Sequence, residues 1–78
     1  MAPYTPPEAL RRAQHLYSSA HNGLKPSDAD IISFVQRPDQ WAEQAIRLGW
    51  TYPAAEAVVR SCRILRKRVL LALEATSA

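Results

Sequence analysis

The chain carries one cysteine, two glycines and two histidines in 78 residues, and each scarcity removes a class of chemistry. Cys62 alone can neither close an internal disulfide nor supply a cysteine-rich zinc site. Lying within an apolar stripe, it is read as a small hydrophobe. Two glycines leave no material for a glycine-rich phosphate loop. His15 and His21 are six positions apart and do not share a helix face, and no carboxylate at ligand spacing accompanies them. Neither histidine has a visible base or nucleophile partner, and Ser18, Ser19, Ser33 and Ser61 are isolated. The expectation is therefore no enzyme: no catalytic residue, no metal ligand and no cofactor. Apolar runs fall far short of the ~20 residues of a membrane span. The opening Met1-Ala2-Pro3-Tyr4 lacks the charged and apolar regions of a signal peptide, so a cytoplasmic protein without a membrane partner is expected.

Hydrophobic residues make up 47% of the chain, enough for one core and a single domain over residues 1–78. A domain this small buries only roughly 60% of its unfolded surface, so a second copy would add useful buried area. The formal charge of +3 is unevenly placed. Residues 1–56 hold five cations (Arg11, Arg12, Lys25, Arg37, Arg47) and six acids (Glu8, Asp28, Asp30, Asp39, Glu43, Glu56), a net −1. Residues 57–78 hold Arg60, Arg63, Arg66, Lys67 and Arg68 against Glu74 alone, a net +4. A concentrated positive segment suits a polyanionic partner, though charge alone names none.

Punctuation and periodicity predict an all-α fold. Thr5-Pro6-Pro7-Glu8 reads as a capped start with proline in the first turn. Leu10, Ala13, Leu16, Tyr17 and Ala20 follow at helical spacing, and Asn22-Gly23 ends the segment, which gives helix 1 over 5–23. Ser27 opens helix 2 over 27–37, with Asp28 and Asp30 near its positive end and Ile31, Ile32, Phe34 and Val35 as its apolar group. Pro38 closes that helix and can open the next, which holds Trp41, Ala42, Ala45, Ile46 and Leu48 before Gly49. Thr51 is a plausible cap, Pro53 is tolerated in a first turn, and nothing breaks a helix from Ala54 to about Ala75. Within it Val58, Cys62, Leu65, Val69 and Ala72 recur at spacings of four and three, a heptad seam. Ile64 and Leu71 are expected to widen that apolar side. Phe34, Tyr17, Trp41 and Trp50 are read as core residues. Only the first four residues and the last three look frayed. The architecture expected is a small orthogonal four- to five-helix bundle with a long C-terminal helix, the fifth helix arising if the chain breaks near Ser61.

The informative stretch runs from Trp41 to Arg60. A helix-turn-helix needs a small residue where its second helix crosses the first, and Ala45 fits. It favours glycine in the turn, and Gly49 fits. Leu48, Ala55 and Val58 can face the core around these positions. The form A-I-R-L-G-W-T-Y-P-A-A-E-A-V-V-R, about 20 residues with its flank, resembles the helix-turn-helix of small bacterial, phage and plasmid repressors. Length and a basic C-terminal helix are also similar to the plasmid Kor repressors. The resemblance implies a helix-turn-helix over 38–60, with a basic amphipathic helix over 61–75 for dimerisation. It implies double-stranded DNA as partner, read by a homodimer on a palindromic operator, with transcriptional repression as the outcome. Thr51, Tyr52, Ala54, Glu56 and Arg60 would then face the groove. Thr51 and Tyr52 suit phosphate, Ala54 a thymine methyl, Glu56 a cytosine amine or Arg60, and Arg60 phosphate or guanine. Arg63 and Lys67 would add phosphate contacts. Dimerisation would fall to Val58, Cys62, Leu65, Val69 and Ala72.

A plainer reading of the same residues is a solvated helix face whose cations keep it soluble. A membrane-surface helix is a weaker option, because the seam suits a protein better. The alternative function is a small helical protein-binding module, such as a phage or plasmid inhibitor, antitoxin or adaptor. Its basic face would meet an acidic protein partner, and it would read no DNA.

Overall fold

In a computed structural model, which describes residues 4–77, the prolines and capping side chains set the helix boundaries. Helix α1 (Pro6–Ala20) begins after Thr5, whose Oγ1 accepts the Glu8 N–H at 3.4 Å. Its end is closed by the Gly23 N–H donating to the Ser18 carbonyl at 2.7 Å. Asn22 and Gly23 both take positive φ there, 56° and 83°. Helix α2 (Asp28–Gln36) starts with a reciprocal capping box: Ser27 Oγ accepts the Asp30 N–H at 3.2 Å, and Asp30 Oδ2 accepts the Ser27 N–H at 3.0 Å. That backbone hydrogen bond from Ser27, then its side chain, holds the Asp30 carboxyl below the usual range. Arg37 separates α2 from α3 (Pro38–Arg47), where Pro38 occupies the first turn. Helix α4 (Tyr52–Ser77) is continuous, so the alternative of a break near Ser61 does not form and the described residues hold four helices. The segment 61–75 is thus the body of α4 rather than a separate helix. Of the last three residues expected to fray, Thr76 and Ser77 still belong to α4, while Ala78 and residues 1–3 lie outside the described residues.

Twenty-six helical residues extend about 39 Å at 1.5 Å per residue. The molecule's long dimension is 38 Å, so α4 is its axis. Helices α1, α2 and α3 each pack on α4; α2 also touches its two neighbours, whereas α1 and α3 do not meet among the described residues. Ala9 and Ala13 are fully buried and have nothing beyond Cβ, which lets α1 lie close to Leu65, Val69 and Leu73. Ile31 and Val35 of α2 complete that cluster. A second cluster joins Phe34 to Val58 and Cys62 and is flanked by Tyr17, Trp41 and Trp50. Each fully buried aliphatic side chain stabilises the fold by roughly 1.5–3 kcal/mol. No described helix is long and apolar enough to cross a membrane.

This packing overturns one expectation. Val58, Cys62, Leu65, Val69 and Ala72, expected as the dimer interface, all lie in the monomer's own core. Their heptad spacing serves α1 and α2 instead of a second copy, because side chains already enclosed within the chain leave no surface to offer one.

Candidate interaction surfaces on the third and fourth helices

The turn joining α3 to α4 is a Schellman closure. The Trp50 N–H donates to the Ala45 carbonyl at 3.0 Å and the Gly49 N–H to that of Ile46 at 3.1 Å. Gly49 supplies the required backbone, at φ 109°. Trp50 folds back so that its ring meets Trp41 edge-on, centroids 5.2 Å apart. Trp41 meets Phe34 in the same manner at 5.9 Å. Of the residues expected to face the core around the turn, Ala55 and Val58 are buried, but Leu48 is 83% exposed. Leu48 ends α3 beside the glycine, and the reversal of direction leaves it outside the bundle.

The residues expected to read DNA are exposed: Thr51, Tyr52, Ala54, Glu56, Arg60, Arg63 and Lys67. They do not form one surface. Tyr52, Glu56, Arg60, Arg63 and Lys67 follow at intervals of four, four, three and four, a single strip along α4. Ala54 stands about 200° around the helix from Glu56 and faces elsewhere. Thr51 acts as the cap of α4, its Oγ1 accepting the Ala54 N–H at 3.4 Å.

The strip's charges are engaged at its front. Arg60 pairs with Glu56 at 3.9 Å, a pairing the sequence allowed. Arg63 reaches across to Asp39 of α3, with Nη2 3.3 and 3.4 Å from the two carboxylate oxygens. Arg47 pairs with Glu43 at 3.8 Å. Three cations and three anions therefore surround the start of α4, and their summed field is near neutral. Among the described residues no ion pair within 4 Å involves Arg66, Lys67 or Arg68.

Ile64 and Leu71, expected to widen the buried side, face solvent instead, at 62% and 48% exposure. The cause is angular: seven residues return to nearly the same azimuth, and both lie well away from Leu65 and Val69. Arg60, Ser61, Lys67 and Arg68 are the i±3 and i±4 neighbours of Ile64. Lys67, Arg68, Glu74 and Ala75 are those of Leu71. An exposed apolar pair thus stands among cations on the outer face of α4.

A groove of about 310 Å³ lies between α3 and the first turns of α4. Ala42 and Ala55 make room for it, Ile46, Tyr52 and Val59 line its apolar part, and Asp39, Glu43, Glu56 and Arg63 ring it. Sequence reasoning missed this feature, because Asp39 and Arg63 are 24 positions apart and only the fold joins them.

Elsewhere the chemistry is quiet. His21 Nδ1 lies 2.8 Å from the Tyr17 carbonyl, and its ring stacks on Tyr17 at 3.8 Å. Burial, with the Asp30 carboxylate second, raises the Tyr17 phenol. Cys62 is enclosed, and burial pushes its thiol up to about 12, which suppresses the nucleophilic thiolate. Among the described residues no three His, Cys, Asp or Glu side chains gather as metal ligands. Compared with known proteins, the chain matches no family model, no curated protein and no solved structure.

Proposed function

We propose that this protein is a helical protein-binding module that docks an acidic amphipathic segment on the outer face of α4. The exposed Ile64 and Leu71, one heptad apart among Arg60, Lys67 and Arg68, carry this reading. Two apolar anchors at that spacing match the face of a partner helix, and the flanking cations match acidic side chains on it. A second copy of this chain fits poorly. An antiparallel pair setting Ile64 against Leu71 of the other copy would gather Lys67 and Arg68 of both copies at the symmetry axis. A parallel pair would oppose each cation to its twin. Binding alone would deliver the biological effect, by covering or occupying the partner.

DNA reading by a repressor is the second proposal, favoured by the open front end of α4 beyond the Gly49 turn. Against it stand the acids Asp39, Glu43 and Glu56, which offset the local arginines where phosphates would approach. Its dimer would also require a surface other than the buried seam.

Two titrations separate the readings: an acidic Leu/Glu amphipathic peptide, and a pool of random DNA duplexes carried through rounds of selection. The binding-module reading expects saturable peptide binding that falls about tenfold or more in Ile64→Asp and Leu71→Asp, a loss of about 1.4 kcal/mol or more. It expects no consensus from the duplex pool. A palindromic consensus whose binding is weakened by Arg60→Ala and untouched by Ile64→Asp would replace it with the repressor reading.

A further inference from the structure

We infer that the partner of α4 is an acidic amphipathic helix seated in the crevice between α1 and α4, so that Arg12 and Leu16 of α1 form the second wall of the docking site. This rests on the reading of α4 as a docking face and adds to it the seat of the partner and a residue that sets its specificity. Ala9 and Ala13 cluster with Leu65, Val69 and Leu73, while Leu16 and Ala20 pack by Val58 and Cys62, so α1 runs antiparallel to α4. Two helices packed in this way leave a crevice on each side of their line of contact. Helix α2 fills one: Ile31 and Val35 join the shared cluster, and Phe34 meets Tyr17 edge-on at 5.3 Å. Helix α3 keeps to that side, touching α2 and α4 but not α1, so no described helix covers the other crevice.

At about 100° per residue, Arg12 and Leu16 stand on the flank of α1 opposite Leu10 and Tyr17, which face α2. Ser61, Ile64 and Arg68 likewise stand on the flank of α4 opposite Leu70 and Leu73. The antiparallel run sets Arg12 level with the turn of Lys67 and Arg68, and Leu16 level with that of Ile64. Leu16, Ser61 and Arg68 are half-buried, the shelter that two walls alone provide.

The lining selects the occupant. Four cations, Arg12, Arg60, Lys67 and Arg68, stand against Glu8 and Glu56, a net +2, and among the described residues only Arg60 of the four has an ion pair within 4 Å. An unbalanced positive rim calls for acidic side chains. Leu16, Ile64 and Leu71 put apolar surface on both walls, which a phosphate backbone cannot cover. Helix α2 shows what fills such a crevice: nine residues whose Ile31, Phe34 and Val35 recur at i, i+3 and i+4. The partner is its counterpart on the open side, with glutamates or aspartates flanking the apolar stripe.

The test is two-dimensional NMR of the full chain titrated with the acidic Leu/Glu amphipathic peptide in 0.15 M salt, where charges more than about 8 Å apart are largely screened. Leu16 and Ser19 should shift together with Ser61 and Arg68. Arg12→Glu should lower affinity about fivefold or more, since it replaces an attractive pair by a repulsive one. Arg11→Glu makes the same charge change on the side of α1 turned away from α4, and should cost less than about twofold. Both positions are exposed, and circular dichroism should show helicity unchanged in each variant. Shifts confined to α4, with Ile64→Asp and Leu71→Asp abolishing binding and Arg12→Glu no worse than Arg11→Glu, would sink this inference and leave the α4 docking reading standing. Absence of any saturable peptide binding would remove both. Concentration-dependent sedimentation of the protein alone, with broadening of the Leu16 and Ser61 resonances, would overturn it in favour of a second copy; shifts there with a random DNA duplex and none with the peptide would overturn it in favour of nucleic acid.

Discussion

The two sides of α4 carry similar patterns and opposite fates. Its inner side repeats Val58, Cys62, Leu65, Val69 and Ala72 at heptad spacing and is sealed beneath α1 and α2. Its outer side sets Ala57, Ile64 and Leu71 at intervals of seven and remains in solvent. A heptad seam therefore announces that a helix packs against something, and says nothing of whether the neighbour comes from the same chain. What distinguishes the two sides is the flank: uncharged buried residues inside, cations at i±3 and i±4 outside. Charge marks the side that three short helices could not cover.

The contrast breaks most sharply at adjacent positions. Leu65→Ala should cost about 2–5 kcal/mol, read by urea denaturation, because it opens a cavity in the main cluster. Ile64→Ala, one residue away, should change stability by less than about 0.5 kcal/mol. Equal losses at both positions would mean that the outer side is covered in solution.

Cys62 sharpens the comparison through pH. Its thiol is raised to about 12 in the fold, from the ordinary value of 9.0. The unfolded chain therefore loses its proton first as pH rises, and folding is progressively disfavoured between those values. Thermal melts should decline from pH 9 upward in the wild type and less steeply in Cys62→Ala after correction for its lower starting stability. Parallel declines would show that the inner side is wet.

At the hairpin, Gly49→Ala should cost about 1–2 kcal/mol by the same denaturation. The backbone at φ 109° is what suffers, since the space beside Gly49 is empty. Smaller still, Ser27→Ala should cost about 1 kcal/mol by removing half of the α2 capping box. It should also move the Asp30 carboxyl part of the way toward its ordinary range, the backbone hydrogen bond from residue 27 remaining, as followed by NMR titration. In the wild type the depressed Asp30 value contributes stability above the ordinary carboxylate range, lost as pH falls through the lowered value.

Much of this architecture was legible from local signals. Thr5, Ser27 and Thr51 cap helices as their side chains suggest, and Pro38 and Gly49 part the helices where their backbones require. The azimuth of α4 was not legible. Val58 and Ile64 are equally apolar, and only the number and placement of the other helices decides which one is covered. Leu48 shows the same gap, since helical spacing cannot foresee which way the chain reverses at Gly49. The candidate surfaces were legible as charge, in the +4 balance of residues 57–78, but not as shape. The groove needs Asp39 beside Arg63 and Ala42 beside Ala55, neighbours that exist only after folding.

The chain's only two tryptophans meet across the α3–α4 hairpin, with His21 6.4 Å from the first of them. Intrinsic fluorescence of this protein is therefore a private channel from one corner of the molecule. Any ligand that pries the hairpin apart, or clamps it, will alter indole emission without a dye, while events at the far end of α4 will leave the spectrum dark.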